Sequence, residues 1–295
     1  MSDKASWELG EGDELAQGRS VLKLLGGGNR YEAYLVWDER FFAPMVAKVI
    51  RPDQVEDESA LRGLRREAEA LGTLAHPVIL RGFDAVLEPP HPHVLVEHLE
   101  GPTLRRLIKR GGPLSAEQAL PLALNVASAL HYMAAEGWVH LDLKPDNIVM
   151  GIPPRVIDLS LARTLERAER VRDPMGTNAY MPPEQCVPNG DIGPPADVWG
   201  LGATLFHAVA GVRPFSKPLS REDGAPAEER YPQLVEDVRP WPVRVPAELA
   251  DAIVSCLRRD PAARPRASEL AMALQPLVAA LPSKLTLGRR GARRA

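Results

Sequence analysis

Cysteine is nearly absent: Cys186 and Cys256 are the two in 295 residues, too few for a disulfide framework. They are expected to be buried thiols in a reducing compartment. An excess of one charge is also missing, since 36 basic residues stand against 39 acidic ones for a net charge of -3. The whole-chain balance therefore points to no nucleic-acid partner. No apolar run approaches the roughly 18 residues that span a bilayer. The N-terminus, with Asp3, Glu8, Glu11, Asp13 and Glu14, is acidic where a signal peptide is basic. These absences predict a cytoplasmic protein without a membrane span. Internal repeats are lacking too. What remains, 45% hydrophobic and 25% charged residues, is ordinary globular composition and excludes disorder, collagen and coiled coil. At roughly 100–200 residues per domain, the length fits one large domain or two packed lobes. Proline is the one excess, 29 residues, but pairs such as Pro89-Pro90, Pro153-Pro154 and Pro194-Pro195 punctuate loops and make no linker.

The pattern changes once along the chain. Residues 20–25, 31–37 and 44–50 are short β-prone runs separated by turn residues, a meander of antiparallel strands. Leu61, Leu64, Ala68, Leu71 and Leu74 recur at helical spacing and predict an amphipathic helix over 58–74. Strands resume at 82–88 and 93–97, and the β-rich part ends near Glu100-Gly101-Pro102. Beyond it helices dominate. Ser115-Ala116-Glu117-Gln118 fits a capping box opening a helix to residue 136 that is apolar all round, hence buried, with a cost at Pro121. Residues 197–211, 246–257 and 267–281 are further helices. The expected architecture is α+β and bilobal: a small antiparallel sheet with one helix, then a larger helical lobe. Its divisions are an N-terminal extension over 1–17, a β-rich lobe over 18–100, a helical lobe over 101–282 and a basic, solvated tail over 283–295. His91 and His93 are expected in a solvated, proline-rich loop rather than at a metal.

Some residue types carry chemistry. Gly26, Gly27 and Gly28 lie between two strands, where glycine lets backbone N–H groups approach phosphate oxygens; the same residues fit a plain hairpin. Lys48, in Val46-Ala47-Lys48-Val49, places an ammonium inside an apolar strand. It either carries its charge to the strand edge or is held by a counter-ion, for which Glu67 is the candidate. The run His140-Leu141-Asp142-Leu143-Lys144-Pro145-Asp146-Asn147, with Asp158 beyond it, is the richest. Asp142 suits a proton acceptor, Lys144 a neutraliser of a moving phosphoryl group, and Asn147 and Asp158 oxygen ligands for Mg²⁺.

In this order the motifs resemble the eukaryotic-like, bacterial-type serine/threonine protein kinases, from about residue 18 to residue 281. The resemblance implies an enzyme that transfers the γ-phosphoryl group of ATP to Ser/Thr hydroxyls of a protein in signal transduction. It implies ATP and Mg²⁺ as cofactors, with Mn²⁺ as the alternative ion. Lys48 and Glu67 match the family's strand lysine and helix glutamate, Asp142 its base, and Asn147 and Asp158 its metal ligands. Adenine is expected among Leu25, Ala33, Ala47 and Val149, with Val96 behind it and the hinge at Glu97 and Leu99. Gly176 to Glu184 resembles the segment receiving a substrate peptide, with Arg264 pairing Glu184; Lys144 and Thr177 imply Ser/Thr specificity.

Departures from the family pattern accompany these matches. Tyr31 replaces the third loop glycine and is expected to stiffen the loop. Leu141 replaces the arginine that would bind a phosphate on the activation segment, whose acceptors are mainly Thr164 and Thr177, so phosphorylation there is not expected to be the switch. Leu159-Ser160 follows Asp158 where the family has Phe-Gly. These departures define the rival reading, a pseudokinase that binds nucleotide and acts by docking. A small-molecule phosphotransferase is the third reading, disfavoured by the peptide-receiving segment. Input is expected through a regulatory protein partner.

Overall fold

The computed structural model describes residues 5–222 and 224–282. The chain divides into two compact units: the first runs through Gly101 and takes back Arg155–Arg163, and the second comprises Pro102–Pro154 and the chain from Thr164.

The first unit is a six-stranded sheet in the order β1-β2-β3-β4-β6-β5, with all neighbours antiparallel. Its strands are β1 (Glu14–Ala16), β2 (Arg19–Gly27), β3 (Tyr31–Asp38), β4 (Ala43–Ile50), β5 (Gly82–Val86) and β6 (His93–Glu97). Alternation along β2 to β4 places Val21, Tyr34, Val36, Met45, Ala47 and Val49 in one core with Leu15 and Leu95. Trp7 and Leu9 pack on that core, so the described part of the stretch set apart as an extension, residues 5–17, belongs to this unit. Helix α1 (Glu58–Thr73) starts where the Asp57 carboxylate accepts the Ala60 N–H at 2.7 Å, and buries Ala60, Gly63, Leu64, Glu67, Ala70 and Leu71.

A single boundary near Glu100 does not describe the chain. Val156 donates its N–H to Val78 O at 2.7 Å and accepts from Leu80 N–H at 2.9 Å, which binds Arg155–Arg163, and with it Asp158, into the first unit. His93 is also not solvated, while His91 is half-buried with its Nδ1 2.9 Å from Leu15 O. His93 is buried; its Nε2 accepts from Arg19 at 2.9 Å, which leaves Nδ1–H to donate to His91 O at 2.6 Å. Burial lowers the His93 pKa and keeps the ring neutral.

The second unit is helical: α2 (Leu104–Gly111), α3 (Ala116–Ala135), α4 (Leu165–Ala168), α5 (Pro194–Ala210), α6 (Ala227–Arg230), α7 (Ala247–Cys256) and α8 (Ala267–Ala279). At the start of α3 half of the expected capping box forms: Ser115 N–H donates to Gln118 Oε1 at 3.1 Å, while the Ser115 hydroxyl turns to Glu117. The helix continues through Pro121, whose carbonyl accepts from Asn125 Nδ2 at 2.8 Å. Nearly every residue of α5 is buried. Gly202 has no room for a side chain, since a Cβ there would lie 2.6 Å from Cys256 Cβ. Both cysteines are buried as expected, and burial pushes the Cys256 thiol up to about 12. No helix among the described residues is long and apolar enough to cross a membrane. The basic tail expected over 283–295 lies outside the described residues.

Candidate active site

In the first unit the glycine turn is tighter than its sequence suggests. Strand β2 runs through Gly27, with Gly26 opposite Ala33 and Gly27 opposite Glu32, and Gly28 N–H donates to Tyr31 O at 2.9 Å. Gly27 is demanded by the hairpin itself, because a Cβ would sit 2.7 Å from Tyr31 O. At Gly28 a Cβ would meet nothing within 4 Å, so the missing side chain there relieves no clash in the chain and leaves the exposed backbone bare.

Lys48 pairs across the sheet with Ala33 and Val94 and does not reach for the strand edge. Its ammonium donates to Glu67 Oε1 and Oε2 at 2.9 and 2.6 Å and to Asp158 Oδ1 at 2.7 Å. Burial alone would lower the Lys48 pKa, but Asp158 and Glu67 more than reverse this and hold the lysine charged. Asp158 is in the left-handed region at φ 65°, and Ser160 Oγ donates to its Oδ1 at 2.8 Å. Tyr31 points inward: its ring covers the Lys48 ammonium at 4.6 Å, and its hydroxyl donates to Ala60 O at 3.1 Å. Gly63 makes the space, as a Cβ there would lie 2.8 Å from that hydroxyl. Burial pushes the Tyr31 pKa up to about 12.

Of the expected adenine-lining residues, Ala47 and Val96 are buried, Ala33 is half-buried and Leu25 is exposed. Glu97 is engaged by its own unit, its carboxylate accepting Arg81 N–H at 2.9 Å and pairing with Arg155 at 3.5 Å. The Leu99 N–H donates to no partner among the described residues. Val149 belongs to the second unit, where it bridges Thr103.

The second unit gathers the polar residues of the loop after α3. Lys144 Nζ donates to Asp142 Oδ2 and, at 2.8 Å, to Thr177 Oγ1, and that hydroxyl donates to Asp142 Oδ1 at 2.7 Å. Asn147 Nδ2 donates to the Asp142 carbonyl at 2.9 Å and to Oδ2 at 3.2 Å. The loop is fixed from α5, where the buried Asp197 carboxylate accepts His140 N–H at 2.7 Å and Leu141 N–H at 2.8 Å. Burial raises the Asp197 pKa, opposed by His140 and those two amides. Leu141 takes φ 64°, a conformation costly for a branched side chain, held by Asp197 at its N–H and by Gln185 Nε2 at its carbonyl, 3.0 Å away. Its side chain packs with Val139, Ala168, Ile192 and Ala196, against Leu165, Val171 and Met175.

The segment from Gly176 to Glu184 is anchored at both ends. Gln185 also donates to Met175 O at 2.8 Å, and Gln233 donates to Asn178 O at 2.7 Å and Met181 O at 3.0 Å. Glu184 and Arg264 form a buried bidentate pair at 2.6 and 2.8 Å. Gln185 and Gln233 had no sequence signal beyond being amides among apolar neighbours.

Each unit thus gathers one polar constellation, Lys48 with Glu67 and Asp158 in the first and Asp142 with Lys144, Thr177 and Asn147 in the second. Comparison with known proteins agrees: residues 19–273 match the family described as protein kinase domain. Serine/threonine-protein kinase PknB of Mycobacterium tuberculosis is 30% identical over 257 residues, 81% of this chain and 38% of that protein. The probable serine/threonine-protein kinase PkwA of Thermomonospora curvata is 32% identical over 260 residues, 85% of this chain and 33% of its own length. Serine/threonine-protein kinase PrkC of Bacillus subtilis is 28% identical over 249 residues, 82% and 37% respectively. The chain therefore spans well under half the length of these curated relatives. With the motifs, the fold and a match over most of its length in accord, the chain belongs to the protein kinase family.

Proposed function

We propose that the chain is an ATP-dependent serine/threonine protein kinase domain that transfers the γ-phosphoryl group to hydroxyls of a protein substrate. The observation that carries this reading is the Asp142 carboxylate, which gathers Lys144, Thr177 and Asn147 on one side chain. Asp142 would accept the proton of the substrate hydroxyl as it attacks, and Lys144 would offset charge on the group in transit. That Lys144 bonds Thr177 and Asp142 together supports Ser/Thr specificity. In the first unit Lys48, held by Glu67, would bind nucleotide phosphates, and the bare backbone of Gly26, Gly27 and Gly28 would lie against them. In the same unit Leu25, Ala33, Ala47 and Val96 would contact adenine, with Glu97 and Leu99 offering backbone hydrogen bonds; the Leu99 N–H, which has no partner among the described residues, supports this.

Asp158 in the first unit and Asn147 in the second are each of the type that a hard divalent cation such as Mg²⁺ takes as a ligand. Both supply oxygen, and Asn147 spends its amide nitrogen on Asp142 while its Oδ1 is left for a cation. Bound Mg²⁺ would neutralise charge on the phosphates. A docking module without transfer is the second reading, favoured by the Tyr31 ring lying over the Lys48 ammonium. Incubation with labelled ATP, Mg²⁺ and a basic protein, followed by phosphoamino-acid analysis, separates the two. Label on serine or threonine, absent in Lys48→Met, is the expected outcome. Nucleotide binding without label would select the docking module.

Leu141 carries a second prediction. Where a phosphate-binding arginine would tie down the activation segment, this chain uses an apolar cluster with Leu165, Ala168, Val171 and Met175. Thr177, an acceptor within that segment, already has its hydroxyl on Asp142, where a phosphate dianion would face a carboxylate. Phosphatase treatment is therefore expected to leave the rate within about twofold, under 1 kcal/mol in barrier. A large loss on dephosphorylation would overturn it. An unchanged rate leaves control to a regulatory protein partner.

A further inference from the structure

Arg51 follows β4, and none of the roles above uses it. It is buried at 8% exposure, and its groups are spread over three parts of the first unit. Its backbone N–H donates to Arg30 O and its Nε to Gly28 O, both at 2.9 Å, so it holds the glycine turn from behind. Its Nη1 donates to Ala5 O at 2.7 Å and pairs with Glu32 Oε1 at 3.0 Å. Nη2 lies so close under the turn that a Cβ on Gly27 would stand 2.9 Å from it.

The N-terminal segment is fastened to the same network. Glu32, 2% exposed, accepts the Trp7 N–H at 3.2 Å and the Tyr34 hydroxyl at 2.9 Å on its other oxygen. Trp7 Nε1 donates to Ile50 O at 2.7 Å, and the indole meets His91 edge-on at 4.4 Å. A glycine turn has no side chains of its own to stiffen it, and binding to a loose turn costs conformational entropy. The planar guanidinium offers several donors in fixed directions, which a lysine ammonium does not.

We propose that Arg51 is a positioning residue for nucleotide, holding the glycine turn in its binding geometry, and that Ala5 and Trp7 set the strength of this hold through the same guanidinium. The inference rests on the kinase reading above for its ligand, but not for the mechanical link itself. Arg51→Lys keeps the charge beside Glu32 while losing the fork, and Trp7→Ala releases the N-terminal segment without touching the turn.

In the full chain, Arg51→Lys is expected to raise KM for ATP with Mg²⁺ about tenfold, with kcat and KM for the protein substrate changed less than about threefold. Trp7→Ala is expected to shift KM for ATP in the same direction by a smaller factor. Without nucleotide, amide hydrogen exchange across residues 28–31 is expected to quicken in both variants. An unchanged KM for ATP, or a fall in kcat alone, would overturn the proposal. If the wild-type chain transfers no phosphate, the kinase reading fails and exchange decides by itself: unchanged rates in Trp7→Ala overturn the link, faster rates uphold it. If Arg51→Lys does not fold, Trp7→Ala decides by the same measurements.

Discussion

Asp142→Asn is expected to lower phosphoryl transfer by about 10²–10⁴-fold, the usual contribution of a positioned general base. The substitution keeps the size and shape of the side chain and removes its charge and basicity. The carboxylate accepts from three donors, Lys144, Thr177 and Asn147. An amide in its place has one oxygen to accept with, and its NH₂ faces donors. The loop itself is held elsewhere, by Asp197 on the amides of His140 and Leu141 and by Gln185 on the Leu141 carbonyl. The fold is therefore expected to survive, with the thermal midpoint displaced by only a few degrees, as suits a loss on the order of 1 kcal/mol. Initial rates with ATP, Mg²⁺ and protein substrate, read beside a melting curve, test this. Activity within about threefold of the parent, less than 1 kcal/mol of barrier, would remove Asp142 from the role of base.

The same contacts show which parts of the chain were legible in its sequence. Helices α1, α3 and α5 carry a 3.6-residue period or continuous apolarity over several turns, and the structure places them within a few residues of expectation. Strand β6, at His93–Glu97, was likewise bounded by its turn residues. Long-range pairing left no such trace. The hydrogen bonds of Val156 to Val78 and Leu80 join segments far apart in sequence, so nothing local could tell that Asp158 rejoins the first unit. The segment of residues 5–9 has no period at all. Its place depends on one indole and on Arg51, which reads in sequence as a charged residue after a strand.

Tyr31 shows how far a motif can carry the reading. The pattern marked it as a replacement for glycine and implied a stiffer loop. It did not indicate that the ring turns inward over Lys48, which depends on Gly63 leaving space on α1. The hydroxyl then ties β3 to the carbonyl of Ala60, on the helix that bears Glu67. Stiffness here comes from a side chain spanning two elements as well as from the backbone restriction of a residue with a Cβ.

Arg264→Met is expected to cost about 3–5 kcal/mol of stability, the largest effect on stability of any single substitution considered, because it leaves Glu184 as a buried charge without its partner. Glu184 is 8% exposed, and the Arg264 side chain is fully covered, lying over the Trp199 ring at 5.0 Å. Gly190 crosses close behind the Glu184 main chain, where a Cβ on it would fall 1.8 Å from the Glu184 backbone carbonyl oxygen, so the backbone that bears the carboxylate is packed tightly. Removing both charges, as in Arg264→Met with Glu184→Leu, is expected to recover part of the loss, since an apolar pair of similar volume avoids the desolvation of two ions. Recovery will be incomplete. Arg264 also donates to the carbonyls of Arg258, Pro195 and Arg259 at 2.7, 2.9 and 3.1 Å, and each of these loses a donor in both variants, at about 1–3 kcal/mol where water cannot enter. Urea unfolding of the parent, the single and the double variant reads all three terms. A single variant within about 1 kcal/mol of the parent would show the pair to be solvated in solution, and a double variant no better than the single would place the cost in the lost carbonyl bonds rather than in the stranded charge.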